Sequence, residues 1–344
     1  MQASNAPTKV PLPFANAGAK NAIPTASQIG VTPGAASLTD GFPPLTRTPV
    51  AAGGVPPSGQ DMNGILNLLS ANIQWENAGA FFPYDATFST AISGYPKGAL
   101  LAKAANNGFW LNTADNNTTN PDTGGAGWVD PLAGRLLKTT VFATAGASTF
   151  TPLAATNAVD VEVVGGGGGG GACGATTSGQ VSAGSGGAGG GYARKFLTTG
   201  FSGVAVTVGA GGVAAASSGG GPGGTSSFGS LVSATGGTGG NLGPGASPTT
   251  NSLAGGAVGG SGSGGDINGI GGYGQPAFYA ATPVSGKGGS TLFGEGAFFV
   301  SSTNVGQVGL SPGSGGSGAS SLGGGSSNSG GVGHQGIVIV REYA

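Results

Sequence analysis

Ser311 stands at the centre of Gly309-Leu310-Ser311-Pro312-Gly313, the Gly-x-Ser-x-Gly spacing of a nucleophile elbow, in which a strained strand-to-helix turn presents a serine hydroxyl for acyl transfer. That chemistry needs a histidine base and an acid to orient it. The chain has one histidine, His334, and no sequence signal places an acid beside it. No buried-strand pattern leads into Ser311 either, so His334 reads as a turn residue before the last strand. Gly184, Gly186 and Gly189 satisfy Gly-x-Gly-x-x-Gly, but the helix and the acidic ribose partner some 20 residues on are missing. No Gly-x-x-x-x-Gly-Lys followed by Ser or Thr occurs, which removes the phosphate-cradling loop as well.

Glycoside cleavage would use two carboxylates flanking the sugar. The second half of the chain offers Asp160, Glu162, Asp266, Glu295 and Glu342, three of them on strand patterns. Asp266 and Glu295 are the pair left for such a site, with solvated loop charges as the plainer reading. Cys173 is the only cysteine, so no intrachain disulfide braces the fold. With no nearby cation or histidine it reads as a small buried residue, not a thiolate. No His, Cys or acidic cluster has metal-ligand spacing. The expectation is a protein without catalytic residues, metal or cofactor.

The elements that surround these residues are unusual in composition. Only 23 of 344 residues are charged and the net charge is -1, so the basic stripe that releases counterions from nucleic acid is absent and a nucleic-acid partner is not expected. The first residues, "MQASNAPTKVPLPFANAGAKN", hold no apolar run of signal-peptide length, and nothing approaches the roughly 20 apolar residues of a membrane span. Synthesis in a cytoplasm, without a Sec signal, is expected.

Glycine divides the chain. Residues 1–164 hold 17 of the 78 glycines and residues 165–344 hold 61, about one residue in three. The first half is proline-rich and extended to about residue 58. In "SGQDMNGILNLLSANIQW", Ser58 can cap a helix over about 59–75, Asp61 suits its first turn, and Met62, Ile65, Leu66, Leu69 and Ile73 share one face. Gly64 is unfavourable there. One short helix cannot bury such a stripe alone; it packs on the surrounding loops or on copies of itself, in an oligomer. "FFPYDATF", "GYPKGALLAK", "GFWLNT" and "GAGWVDP" then predict a small antiparallel β module. The expected regions are 1–79, 80–135 and 136–344.

The third region is bracketed by strand patterns. Val159, Val161 and Val163 alternate with Asp160 and Glu162, Val204, Val206 and Val208 with Ala205 and Thr207, and "GIVIVREY" closes the chain. The ends of a domain tend to lie close together, so the first and last strands are expected to pair. The fold class is mainly β: a β-sandwich-like domain with residues 209–333 as glycine-rich excursions. The seven glycines Gly165–Gly171 pose the question of what such a run is for. Glycine loses the most backbone entropy on ordering, so a flexible spacer is one fate. A spacer has no use for Tyr192, Phe196, Phe228, Tyr273 or Phe298, spaced among the glycines. The other fate is the three-per-turn extended helix, packed backbone on backbone as polyglycine II; collagen is excluded because its strict register is broken repeatedly.

Aromatic residues displayed on loops held by a rigid scaffold make binding surfaces. The candidates are Tyr273, Phe278, Tyr279, Phe293, Phe298 and Phe299, with the core of the domain as the competing place for these rings; Tyr273 and Tyr279 are expected to be exposed.

"PFANAGAKNAIP", "ASLTDGFPPLTRTPVAAGGVPPSGQDMNGILNLL", "YDATFSTAISGYPKGALL", "GFWLNT" and "DNNTTNPDTGGAGW" resemble the amino-terminal region of tail fibre proteins of tailed bacteriophages. "VEVVGGGGGGG", "GGGYARKF", "VAVTVGAGG", "GGTSSFG", "ATGGTGG" and "GIVIVREY" are similar, in that order, to the glycine-rich domain at the ends of such fibres. The resemblance implies a homotrimeric receptor-binding fibre of a virion, assembled in the host cytoplasm. Its first half would join phage tail or baseplate proteins. Polyglycine II loops bearing the six aromatics would meet a Gram-negative host's lipopolysaccharide, outer-membrane protein or pilus. A trimer would bury Met62, Ile65, Leu66 and Leu69 about its axis. The alternatives are a tail spike depolymerase that cuts host polysaccharide and a silk-like structural protein, for which regular repeats would be expected.

Overall fold

A computed structural model of the chain describes residues 6–248 and 253–344. The chain divides into two compact units, one ending at Pro131 and the other spanning Leu132–Ala344. Residues of the first two expected regions therefore share one unit up to Pro131.

In the first unit the helix runs Gly59–Asn77, and the Ser58 hydroxyl accepts from the Gln60 N–H as the cap pattern predicts. Asp61 does more than complement the dipole. It is buried, and its carboxylate accepts from Asn21 Nδ2 at 2.6 Å and from the Ala36 N–H at 2.8 Å. The extended chain before it has no strand partner for its backbone groups, and the polar face of the helix supplies one. Asn63 donates to the Ala19 carbonyl, Asn67 to Phe14, and Gln74 to Pro11, while the Phe14 N–H donates to Ser70. Residues 11–21 thus lie antiparallel to the helix as a strap. Gly64 is explained by this approach, since a Cβ there would meet the Asn21 carbonyl at 2.1 Å. The opposite, apolar face is uncovered: Met62, Leu66, Leu69 and Ile73 are exposed and Ile65 is half-buried.

The β module is a three-stranded antiparallel sheet of Leu100–Ala102, Phe109–Asn112 and Trp128–Val129, with Tyr95, Leu101 and Trp128 as its core. The end of "FFPYDATF", expected as a strand, instead opens the short helix Ala86–Ala91, because the Asp85 carboxylate caps it by accepting from the Phe88 N–H. Among the described residues no helix is long and apolar enough to cross a membrane.

The second unit opens as a β-sandwich. One antiparallel sheet has the order Ile267–Gly269, Tyr192–Leu197, Ala158–Val164, Ile337–Tyr343, Leu136–Phe142; the other has Gly262–Ser263, Val232–Ala234, Ser226–Phe228, Ala205–Val208, Gly146–Thr149. The first strand pattern read from the sequence, Ala158–Val164, does pair with the last, from Ile337 opposite Val164 to Tyr343 opposite Ala158, and the strand before it, Leu136–Phe142, pairs with the other edge of the last strand. Alternation sends Val159, Val161, Val163, Val338 and Val340 into a core with Phe150, Val206, Phe228 and Val232. Asp160 and Glu162 point the other way, where Arg194 binds Asp160 through two nitrogens at 2.9 and 2.8 Å and Arg341 reaches Glu162.

Past Val164 the glycine run forms no strand. Its N–H groups turn to three neighbours in rotation. Gly165, Gly168 and Gly171 donate to Gly191, Ala188 and Ser185; Gly166, Gly169 and Ala172 to Gly224, Gly221 and Ser218; Gly167, Gly170 and Cys173 to His334, Gly331 and Asn328. A repeat of three is the turn of the extended three-per-turn helix. The carbonyls face three further segments: Gly166, Gly169 and Ala172 accept from Gly237, Gly240 and Gly243, Gly168 and Gly171 from Gly316 and Ala319, and Gly167 from Gly212. Segment 165–173 is therefore ringed by six others.

Segments 184–191 and 313–319 obey the same rule. The N–H groups of Gly184, Gly187 and Gly190 donate to Ala319, Gly316 and Gly313, those of Ser185, Ala188 and Gly191 to Asn241, Thr238 and Thr235, and those of Gly186 and Gly189 to Gln275 and Gly272. These three mutually adjacent helices are enclosed by 209–213, 218–224, 235–243, 256–260, 271–275, 285–290, 296–300, 306–309 and 329–334. Among the described residues this makes twelve helices on a hexagonal lattice. A Cβ on any of Gly165 to Gly171 would stand 1.9–2.3 Å from a neighbour's carbonyl oxygen. The run is the buried centre of the unit, built from backbone and not from side chains.

Candidate binding surface

Residues 165, 191, 209, 224, 235 and 336 join the lattice to strands, and the bonds of Gly165 to Gly191 and of Gly166 to Gly224 put those junctions at one end. The sandwich covers that end. The other end is closed by turns, among them 174–183, 276–285 and 320–329. It is tied by two short pairings, Val181–Ala183 with Ser320–Leu322 and Leu253–Ala254 with Ala277–Phe278.

On an outer helix of three residues per turn, two positions face lattice neighbours and one faces out. Val213, Val258, Tyr273, Phe298, Val308 and Val332 occupy such outward positions and are exposed. Val258, Tyr273, Lys287 and Phe298 stand on four successive helices, linked by bonds between Ala257 and Gly274, from Gln275 to Lys287, and from Gly288 to Ala297. Lys287 Nζ lies 5.5 Å from the centre of the Phe298 ring and 2.6 Å from Glu295 Oε2. The flank is thus an apolar, nearly neutral row whose single cation already has a partner.

The six aromatic residues expected to bind do not converge. Tyr273, Phe298 and Phe299 are exposed on the flank, with Phe298 60% exposed. Phe278 is exposed at the end remote from the sandwich, on a strand whose backbone exchanges bonds with Val284. Phe293 lies in the Thr291–Gly294 turn near the sandwich, where Thr291 donates to the Pro312 carbonyl. Tyr279 corrects the expectation of exposure. It is 4% exposed, packed with Val181, Ala183, Ala254 and Ala277, because strand alternation turns Ala277 and Tyr279 inward as it turns Phe278 outward. Burial pushes its hydroxyl up from the ordinary range.

The residues with chemical potential take separate partners. The Ser311 hydroxyl donates to the Glu295 carbonyl, while His334 Nδ1 contacts the Gln335 carbonyl at 3.0 Å. Asp266 accepts from the Phe196 N–H at the sandwich, and Glu295 holds Lys287 on the lattice. Cys173 is fully buried, its sulfur accepting from the Asn328 N–H, and burial pushes the thiol up, against thiolate formation. Among the described residues no group of three or more His, Cys, Asp or Glu could hold a metal.

The sequence model of a glycine-rich domain family matches residues 142–343, from the end of the first sandwich strand to the penultimate residue. This chain belongs to the glycine-rich domain family. None of the curated proteins compared with it matches. The matched stretch takes in the lattice and nearly the whole sandwich, so the glycine-rich domain is one folded unit of both.

Two features of the surface escaped the sequence. The outward valines were hidden because one-in-three spacing among glycines looks like random interruption; a count of non-glycine residues modulo three within each run is the signal that would have found them. The other is a groove of about 940 Å³ in the first unit, lined by Phe81, Phe82, Tyr84, Phe88, Tyr95 and the end of the long helix. Its residues belong to a loop, a helix and a sheet, which no local pattern joins.

Proposed function

We propose that the chain is a receptor-binding fibre protein of a tailed bacteriophage. It holds the virion through its first unit and meets a bacterial surface structure through its glycine-rich domain, without catalysis. The observation that carries this reading is the lattice. Twelve helices bonded laterally through backbone leave little to rearrange, so rings on its surface offer contact area at low ordering cost. Phe278 at the end away from the sandwich and Tyr273, Phe298 and Phe299 on the flank are the residues assigned to the receptor. The phage-fibre resemblance of the first half supports the virion end. The uncovered helix stripe Met62, Ile65, Leu66 and Leu69 supports a homotrimer, which would bury it around an axis.

Fluorescently labelled full-length protein on a panel of Gram-negative strains tests the reading. Saturable binding, lost in mutants lacking one of lipopolysaccharide outer sugars, an outer-membrane protein or a pilus, is the expected result and identifies the receptor. Absence of binding to every strain, or shortened polysaccharide after incubation, defeats it. Mass photometry giving a monomer at micromolar concentration defeats the trimer.

A further inference from the structure

The groove of the first unit is both aromatic and one-sided in charge. Phe81, Phe82 and Phe88 on its walls are exposed, and Trp75 lies against Phe82 with ring centres 5.7 Å apart. Its lining includes two carboxylates, Glu76 and Asp85, and no Lys, Arg or His among the described residues. Asp85 is occupied as the cap of the short helix. The Glu76 side chain has no partner among the described residues.

Glu76 is also at the wrong end of its helix. It lies in the last turn of Gly59–Asn77, where the helix dipole is negative, and no basic residue accompanies it. A carboxylate there works against the helix, and the groove lining adds Asp85 and no cation to offset it. A cation seated beside Glu76 relieves both the dipole and the charge while the rings take whatever apolar groups flank it.

We propose that this groove docks a polypeptide segment in which a Lys or Arg is flanked by apolar residues, the cation against Glu76 and the apolar side chains on Phe81, Phe82 and Phe88. The segment belongs to the partner through which the first unit joins the virion, and to that extent the inference rests on the fibre reading. On the flank of the glycine-rich domain the carboxylate, Glu295, is already paired with Lys287.

The test uses full-length protein and a short synthetic peptide of leucines about a central lysine, followed by fluorescence anisotropy. A second peptide carries glutamate in place of the lysine. The lysine peptide is expected to bind and the glutamate peptide to bind at least about tenfold more weakly, the scale of one charge-assisted bond. Glu76→Gln should weaken the lysine peptide about tenfold while its thermal midpoint holds or rises, since the variant removes a charge the helix dipole disfavours. Phe82→Ala should weaken both peptides. Equal binding of the two peptides, no binding of either, or unchanged affinity in Glu76→Gln overturns the proposal. Because the peptide and the cells are read separately, absence of peptide binding by the parent protein with intact binding to cells refutes the groove alone. Loss of cell binding by the parent protein refutes the fibre reading.

Discussion

Substituting Gly168 by alanine puts one methyl group where the lattice has no room. The new Cβ would lie 2.0 Å from the Thr238 carbonyl oxygen and 2.6 Å from its carbon, against the 3.4 Å at which ordinary contact begins. No rotamer relieves a clash between a Cβ and a backbone, so helix 235–243 must retreat by about 1.4 Å. That helix is held by bonds from the Ala188 N–H to the Thr238 carbonyl and from the Gly237 and Gly240 N–H groups to the Gly166 and Gly169 carbonyls, at 2.8–2.9 Å. A shift of that size breaks all three.

Each break leaves a buried polar group unpaired at about 1–3 kcal/mol, so the loss is about 3–9 kcal/mol. That is a large part of the roughly 5–15 kcal/mol that holds a domain together. For a unit of this size each kcal/mol moves the thermal midpoint about 2–4 °C, and a fall of at least about 6 °C is expected. Calorimetry of Gly168→Ala checks it, with Gly255→Ala as comparator, because a Cβ at Gly255 meets only Asn241 Nδ2 at an ordinary 3.6 Å. The comparator should be neutral or slightly stabilising. A midpoint for Gly168→Ala within about 2 °C of the parent would mean that the run is not close-packed and the reasoning fails.

Tyr279→Ala, which empties a buried site, should cost about 3–5 kcal/mol by denaturant titration; Tyr273→Ala and Phe298→Ala should leave stability within about 0.5 kcal/mol while weakening binding to cells. Stability should fall in alkali. Burial raises Cys173 and Tyr279, and burial with the nearby Glu162 raises Tyr192, so each group keeps its proton in the folded chain after the unfolded chain has lost it. Their contribution is full below the ordinary values, 9.0 for the thiol and 10.0 for the phenols, and is lost as pH rises through the folded ones. A denaturation midpoint unchanged up to about pH 11 would contradict this, and Cys173→Ala should remove the earliest part of the fall. Asp61→Ala leaves the buried Ala36 N–H without its acceptor, at about 1–3 kcal/mol, releases the Asn21 amide, and should expose residues 11–36 to limited proteolysis.

Where a residue's neighbours along the chain decide its role, that role was legible. Ser58 as a cap and Val159, Val161 and Val163 as an inward face follow from signals that each strand or helix carries within itself, and the pairing of the bracketing strands follows from the closeness of a domain's ends. The glycine run allowed two outcomes locally, and its interleaved aromatics pointed to the ordered one. Which segments pack on 165–173, and that six of them do, was decided by contacts between residues as far apart as Gly167 and His334, for which a chain without side chains carries no record. Asp61 was read as a dipole partner when the strap makes it a buried anchor, and Tyr279 was read as exposed when a two-residue strand turns it inward.

The sequence by itself determined that this protein would be poor in charge, β-rich and dependent on glycine, because composition and periodicity are properties of the chain alone. Only the tertiary structure decided which side of each glycine helix, and of the long helix of the first unit, meets water. On the lattice that choice rests on where neighbouring backbones leave no space for a Cβ, and in the first unit on a strap that covers the polar face of a helix and leaves its apolar face open.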